Sequence, residues 1–108
     1  MSTEEVLLRL SQTLASRRNA DPEKSYTAKL FAKGPDSILK KIGEEGAELI
    51  MAAKDGKREN IVYESADLLY HMVALLTFYG IGTEEVLGEL QRREGTSGID
   101  EKKSRAAK

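Results

Sequence analysis

Five carboxylates in the middle of the chain stand at spacings that could do chemistry. Glu44, Glu45 and Glu48 form one group, and Glu64 with Asp67 a second. Residues three or four apart share a helix face, so Glu64 and Asp67 point the same way. At about 100° per residue, Glu44, Glu45 and Glu48 fall within roughly a quarter turn. Gly56 stands between the two groups. A chain that reverses there puts Glu48 eight residues before the turn and Glu64 eight after, while Glu45 and Asp67 are each eleven away. Equal distances set the members of each pair level across an antiparallel hairpin, in two tiers about 4.5 Å apart.

Like charges gathered this closely, some of them in an apolar helix, cost on the order of several kcal/mol each unless they are protonated or paired with a cation. A divalent metal answers that cost. The chain has no Cys and a single histidine, His71, so the ligands would be oxygen, which favours Mg²⁺ or Mn²⁺ over zinc or copper. The competing reading of Glu44, Glu45 and Glu48 is a solvated face paired with Lys40 and Lys41. Glu64 and Asp67 resist that reading, because no Lys or Arg occurs from Ile61 to Tyr79. A di-iron bundle would want two Glu-x-x-His pairs, which one histidine cannot supply.

The elements that must position these groups are helical. Val6, Leu7, Leu10 and Leu14 recur at helical spacing in a first helix over 3–18, with Ser2 and Glu5 as a capping box. A shorter helical segment over 25–33 ends at Gly34. Pro35 suits the first position of a second long helix, whose Ile38, Leu39, Ile42, Leu49, Ile50 and Ala53 make one face and which Gly56 ends. A third helix is predicted over 57–79, stopped by Gly80 and Gly82. Thr83 caps a fourth, with Val86, Leu87 and Leu90, to about residue 93. No strand pattern appears. The expected fold is all-α, four to five helices around a central antiparallel hairpin. The domain should occupy residues 1–93, leaving 94–108 as a charged, mobile tail.

The third helix is apolar on every side and must be buried nearly all round. The remaining helices of so short a chain can hardly enclose it, so a second copy is expected to supply the missing neighbours in a homodimeric helical bundle.

Composition narrows the function classes. The chain has 108 residues with 17 Lys plus Arg against 18 Asp plus Glu, a net charge of -1. That balance argues against a nucleic-acid or anionic-membrane partner held by bulk electrostatics. Without cysteine there is no disulfide framework, structural zinc or thiol catalysis, which suits a reducing cytosol. The acidic start, Met-Ser-Thr-Glu-Glu, does not open a signal peptide. The most apolar stretch, 68–82, is shorter than the roughly 20 residues of a spanning helix and contains His71. A cytoplasmic protein with no membrane partner is expected.

With these residues in view, Glu44-Glu45-x-x-Glu48 followed by Glu64-x-x-Asp67 resembles the signature of the all-α nucleotide pyrophosphohydrolases. Within that group, Ser25-Tyr26-Thr27-x-Lys29-Leu30, Lys33-Gly34, Glu64-x-Ala66-Asp67-Leu68-Leu69-Tyr70-His71 and Leu90-x-Arg92-Arg93 are similar to the phosphoribosyl-ATP pyrophosphatase family, over about Val6 to Arg93. Gly46 departs from the pattern, which favours Ala there. Together with Gly43 it should cost the second helix about 1 kcal/mol per glycine.

The resemblance implies Mg²⁺-dependent hydrolysis of phosphoribosyl-ATP to phosphoribosyl-AMP and pyrophosphate, the second step of histidine biosynthesis. No glycine-rich phosphate loop is present, so metal must carry the phosphate charge. Glu45, Glu48, Glu64 and Asp67 are the expected ligands. Glu44 is the candidate to orient or deprotonate the attacking water, with Glu48 the alternative. Lys29, Lys33, Lys40, Lys41, His71, Arg92 and Arg93 are candidates for the substrate's phosphates, Ser25 and Thr27 for hydroxyl donors, and Tyr26 for a surface under the base. Each has a plainer reading. The lysines could be solvated, Arg92 and Arg93 could serve a helix C-terminus, and His71 could be a bonded core residue. Two other functions stay open at this point: a housekeeping nucleoside-triphosphate pyrophosphohydrolase acting on noncanonical nucleotides, and a non-enzymatic helical dimerisation module.

Overall fold

Glycine and proline divide the chain in the computed structural model much as the sequence suggests. The structure describes residues 3–95 and 97–106. A 3-10 turn, Thr3–Glu5, leads into α1 (Val6–Arg17), followed by α2 (Tyr26–Ala32), α3 (Pro35–Asp55), α4 (Arg58–Phe78), α5 (Thr83–Arg92) and α6 (Gly98–Ala106). No strand occurs among the described residues. Ser2 of the expected capping box lies outside them, and Glu5 precedes α1 without a side-chain cap.

The hairpin is set by two glycines. Gly34 (φ 86°) turns the chain into α3 ahead of Pro35 at its first position. Gly56, in the left-handed conformation (φ 74°), closes α3 by donating its N–H to the Ala52 and Ala53 carbonyls. A residue with a Cβ would be strained at either φ. Only Gly56 and Lys57 separate α3 from α4, so the two 21-residue helices pack antiparallel along their length.

The core lies at the far end of this hairpin. Leu14 of α1, Leu30 and Phe31 of α2, Ile38 of α3 and Val73 and Ala74 of α4 are buried together, with Leu7, Leu10, Ile42 and Phe78 against them. Phe31 and Phe78 stack with centroids 6.1 Å apart. The Arg18 guanidinium covers both rings at 5.4 and 5.1 Å and donates to the Thr77 carbonyl. Its charge is thus accommodated over an aromatic face.

Two expectations change. Gly82, not Thr83, is the N-cap of α5: its N–H donates to Glu85, while Thr83 is the buried first residue of the helix. A glutamate folding back onto the cap amide needs no hydroxyl there. The charged segment beyond Arg93 holds α6, where the Ser97 hydroxyl accepts the Asp100 N–H. As expected of so short a chain, α4 is not enclosed within it. Val62 and Tyr63 are about two-thirds exposed, and Leu69 and Met72 are also open. Among the described residues, α4 alone, over Arg58–Phe78, is long and apolar enough by length and composition to cross a membrane. The stretch 68–82 is too short by itself, and the added length comes from Arg58 onward. In this fold α4 packs as the partner of α3, carrying Glu64, Asp67 and His71 on it.

Ile38 is fully buried where four helices meet. Ile38→Ala is therefore expected to destabilise the protein by about 2–5 kcal/mol, read as a lower urea midpoint.

Candidate metal and phosphate site

Of the two level pairs expected across the hairpin, Glu48 and Glu64 come together. Ligand oxygens of Glu45, Glu48 and Glu64 all lie within 4.8 Å of one another. Glu45 is buried, Glu64 partly so, and Glu48 is at the open edge. One oxygen of Glu45 and one of Glu64 are buried with no hydrogen-bond partner. Asp67 stands outside this three-carboxylate group yet is close enough to act electrostatically on both Glu45 and Glu64.

Burial and mutual repulsion push protons onto the cluster. Burial raises the Glu45 carboxyl above its ordinary value, helped by the charges of Glu48 and Asp67 and opposed by His71. Glu64 is raised by burial, by its hydrogen bond with Glu48, and then by the charges of Glu48, Asp67 and Glu45. Two carboxyl groups can share a hydrogen bond only with a proton between them. A hard divalent cation can replace that proton, and the unpartnered buried oxygens are the donors such an ion takes. The residues present therefore fit a metal.

Behind the cluster, α2 is fastened to α4 by two adjacent bonds. The Tyr26 phenol meets His71 Nε2 at 2.8 Å, and Thr27 Oγ1 meets the Tyr70 hydroxyl at 2.6 Å. His71 Nδ1 lies 2.9 Å from the Asp67 carbonyl. A carbonyl only accepts, so Nδ1 donates to it, and a ring that carries its single proton there accepts the Tyr26 phenol proton at Nε2. Burial, aided by Tyr70 and by the charges of Glu45, Asp67 and Glu44, keeps the Tyr26 phenol protonated to higher pH than usual.

The remaining candidates divide by position. Lys41 lies 3.8 Å from Glu44 at the rim of the cluster. Ser25 caps α2 by accepting the Ala28 N–H, and Lys29 and Lys33 follow on the same side, while Lys40 is exposed on α3. Thr27 is buried with its hydroxyl on Tyr70, so it ties helices together instead of facing a ligand. Arg92 and Arg93 both bond Glu89 on α5, which packs against α1, and together they draw the Glu89 carboxyl down to about 2. In one chain they are not gathered with the carboxylates.

Sequence reasoning missed the bonds from α2 to α4. Their only sequence signal is a neighbouring pair, Tyr26-Thr27, facing another, Tyr70-His71. It also missed Met51, Asp55, Asn60 and Tyr63, which with Glu48 and Glu64 line an open cleft near the hairpin turn.

An all-helical chain that brings carboxylates level across one hairpin, with no strand or phosphate loop among its described residues, has the architecture of the all-α nucleotide pyrophosphohydrolases. Within that class, the family model described as phosphoribosyl-ATP pyrophosphohydrolase matches residues 7–94, and the chain belongs to this family. A protein named phosphoribosyl-ATP pyrophosphatase from Dechloromonas aromatica is 72% identical over 108 residues, covering 100% of both chains. Proteins of the same name from Aromatoleum aromaticum and Bordetella avium are each 55% identical, over 94% of both chains and over 95% of this chain and 91% of the other, respectively.

Because Glu45 and Glu64 hold protons more tightly folded than unfolded, the stability this contributes is complete below their ordinary value of 4.5. It is lost as pH rises through the raised folded values. Glu89, with its lowered pKa, acts in the opposite direction but only below 4.5. The metal-free protein should therefore melt higher on acidification from neutral toward about pH 5. Glu64→Gln should raise the metal-free melting temperature at neutral pH and weaken stabilisation by added Mg²⁺. Calorimetry with and without chelator checks both, and a Glu64→Gln protein that melts lower at neutral pH contradicts the assignment.

Proposed function

We propose that this chain hydrolyses phosphoribosyl-ATP to phosphoribosyl-AMP and pyrophosphate in histidine biosynthesis. Its relatives carry the name of that hydrolase. The observation that carries the reading to the residues is the three-carboxylate group with its unpartnered buried oxygens.

Glu45, Glu48 and Glu64, with Asp67 beside them, would hold Mg²⁺, or Mn²⁺ in its place. A bound divalent ion supplies positive charge to the triphosphate oxygens and polarises the α-phosphorus. The chain's own groups do the rest. Glu44, or Glu48 in its stead, orients a water and takes its proton. The water oxygen bonds to the α-phosphorus as the bond from that phosphorus to the bridging oxygen breaks, and pyrophosphate leaves with the electron pair. Lys41 stands beside Glu44, where it can steady developing charge, and Lys40 lies next to it. Ser25, Tyr26, Lys29 and Lys33 face the rest of the nucleotide from α2 and its end. The His71 ring and Thr27 hold that wall in place. Arg92 and Arg93, committed to Glu89, would reach substrate only by exchanging that partner.

The functional unit we propose is residues 1–93 in a homodimer, with 94–108 outside it, acting in the cytoplasm. Support for the dimer comes from the open apolar face of the hairpin: Ile50 and Met51 of α3 and Val62 and Tyr63 of α4 are each about two-thirds exposed. A contiguous face of this kind marks an interaction surface.

Pyrophosphate release from phosphoribosyl-ATP should require Mg²⁺ and stop with chelator, and ATP or dUTP should be poor substrates. Comparable turnover of the simple nucleotides would move the protein to the housekeeping reading. No turnover of any nucleotide would favour the dimerisation module. Glu64→Gln should lower kcat/KM by about 100-fold or more.

Val62→Glu should convert the dimer to monomer in sedimentation at micromolar concentration. A wild-type protein that is already monomeric there rules the dimer out.

A further inference from the structure

A pocket where α2 meets the start of α3 is lined by Tyr26, Lys29, Leu30, Lys33, Ser37 and Lys41. Half of its lining is cationic and none of it acidic. Lys41 has Glu44 as a counter-charge at 3.8 Å, whereas Lys29 and Lys33 form no ion pair among the described residues. Ammonium groups around one concavity repel one another and are most stable with an anion between them.

The backbone at the same place adds a second attraction. α3 begins with Gly34 as N-cap and Pro35 at its first position, and no side chain caps its first-turn amides. The N–H groups of Asp36 and Ser37 are therefore left to water or a ligand at the positive end of a 21-residue helix. The Asp36 side chain is exposed and is not part of the pocket wall.

The pocket lies along α3 from the carboxylates. Lys41 precedes Glu45 by four residues and Ser37 by eight, or about 6 and 12 Å along the helix axis. Tyr26 connects the two regions, since it lines the pocket and bonds His71, one turn beyond Asp67. A substrate spanning both would carry a polyphosphate at one end and a single phosphate at the other, with a nucleoside-sized body between.

We propose that this pocket receives the phosphate monoester of the phosphoribosyl group and so separates phosphoribosyl-ATP from ATP, which lacks that group. The assignment rests on the reading under Proposed function, and it makes Lys29 and Lys33 specificity-determining residues. Neither is needed for the bond that breaks. Their contribution is to seat the far end of the substrate.

Ribose 5-phosphate, which carries the same phosphate monoester, tests this on the full-length protein with Mg²⁺. In an amide NMR titration it should shift Lys33, Gly34, Asp36 and Ser37, and ribose should not. In steady-state hydrolysis of phosphoribosyl-ATP, K29Q/K33Q should raise KM about tenfold or more and weaken inhibition by ribose 5-phosphate similarly. The single variant Lys33→Gln serves if the double variant does not fold, and the titration needs no variant. Wild-type turnover of phosphoribosyl-ATP combined with ribose 5-phosphate shifts confined to α4, or with a variant KM within about twofold of wild type, overturns the pocket. A wild-type protein that binds ribose 5-phosphate at these amides but releases no pyrophosphate upholds the pocket and overturns the functional reading.

Discussion

Two 21-residue helices joined through Gly56 and Lys57 have to run antiparallel and level, and that register brings Glu48 and Glu45 of one against Glu64 of the other, with Asp67 near enough to act on Glu45 and Glu64 electrostatically. The local cost is repulsion between carboxylates, visible in the raised proton affinity of Glu45 and Glu64. The rest of the molecule offsets that cost at a distance. The aliphatic and aromatic core lies at the other end of the hairpin, so the fold is held where it is dry and the site is left where it is charged. Hydrophobic burial is non-directional and tolerates this separation.

Much of this was legible in the sequence because it follows from local rules. Pro35 and Gly56 bracket α3, and Gly80 and Gly82 follow α4, so both long helices were bounded to within a residue or two. Once the turn was located, counting outward from Gly56 paired Glu48 with Glu64. Lys41 and His71 are likewise level, each fifteen residues from Gly56, but their side chains take other partners: Lys41 pairs with Glu44 three residues along its own helix, and His71 bonds Tyr26. Level placement states which residues can meet. Which of them do meet depends on elements that arrive from elsewhere in the chain, and α2 arrives 45 residues before His71.

The apolar surface of α4 carries the same point. Its apolar residues on every side called for burial on every side, and one chain supplies only part of it. Composition records the total burial a helix needs without recording whose surface provides it. Met51 and Tyr63 on the uncovered face also line the cleft beside Glu48 and Glu64. The exposed apolar surface of the hairpin and the cleft beside the carboxylates therefore share residues.

The two adjacent bonds from α2 to α4 have a mechanical meaning. A rod pinned at a single point can swivel about that point. Pinned through Tyr26 and Thr27, whose side chains leave the backbone about 100° apart, it can neither slide nor roll without losing a bond. α2 has only seven residues and would scarcely hold its shape alone. Fastened in this way it behaves as a rigid bracket, and the direction in which Lys29 and Lys33 leave it is decided on the opposite helix, by Tyr70 and His71.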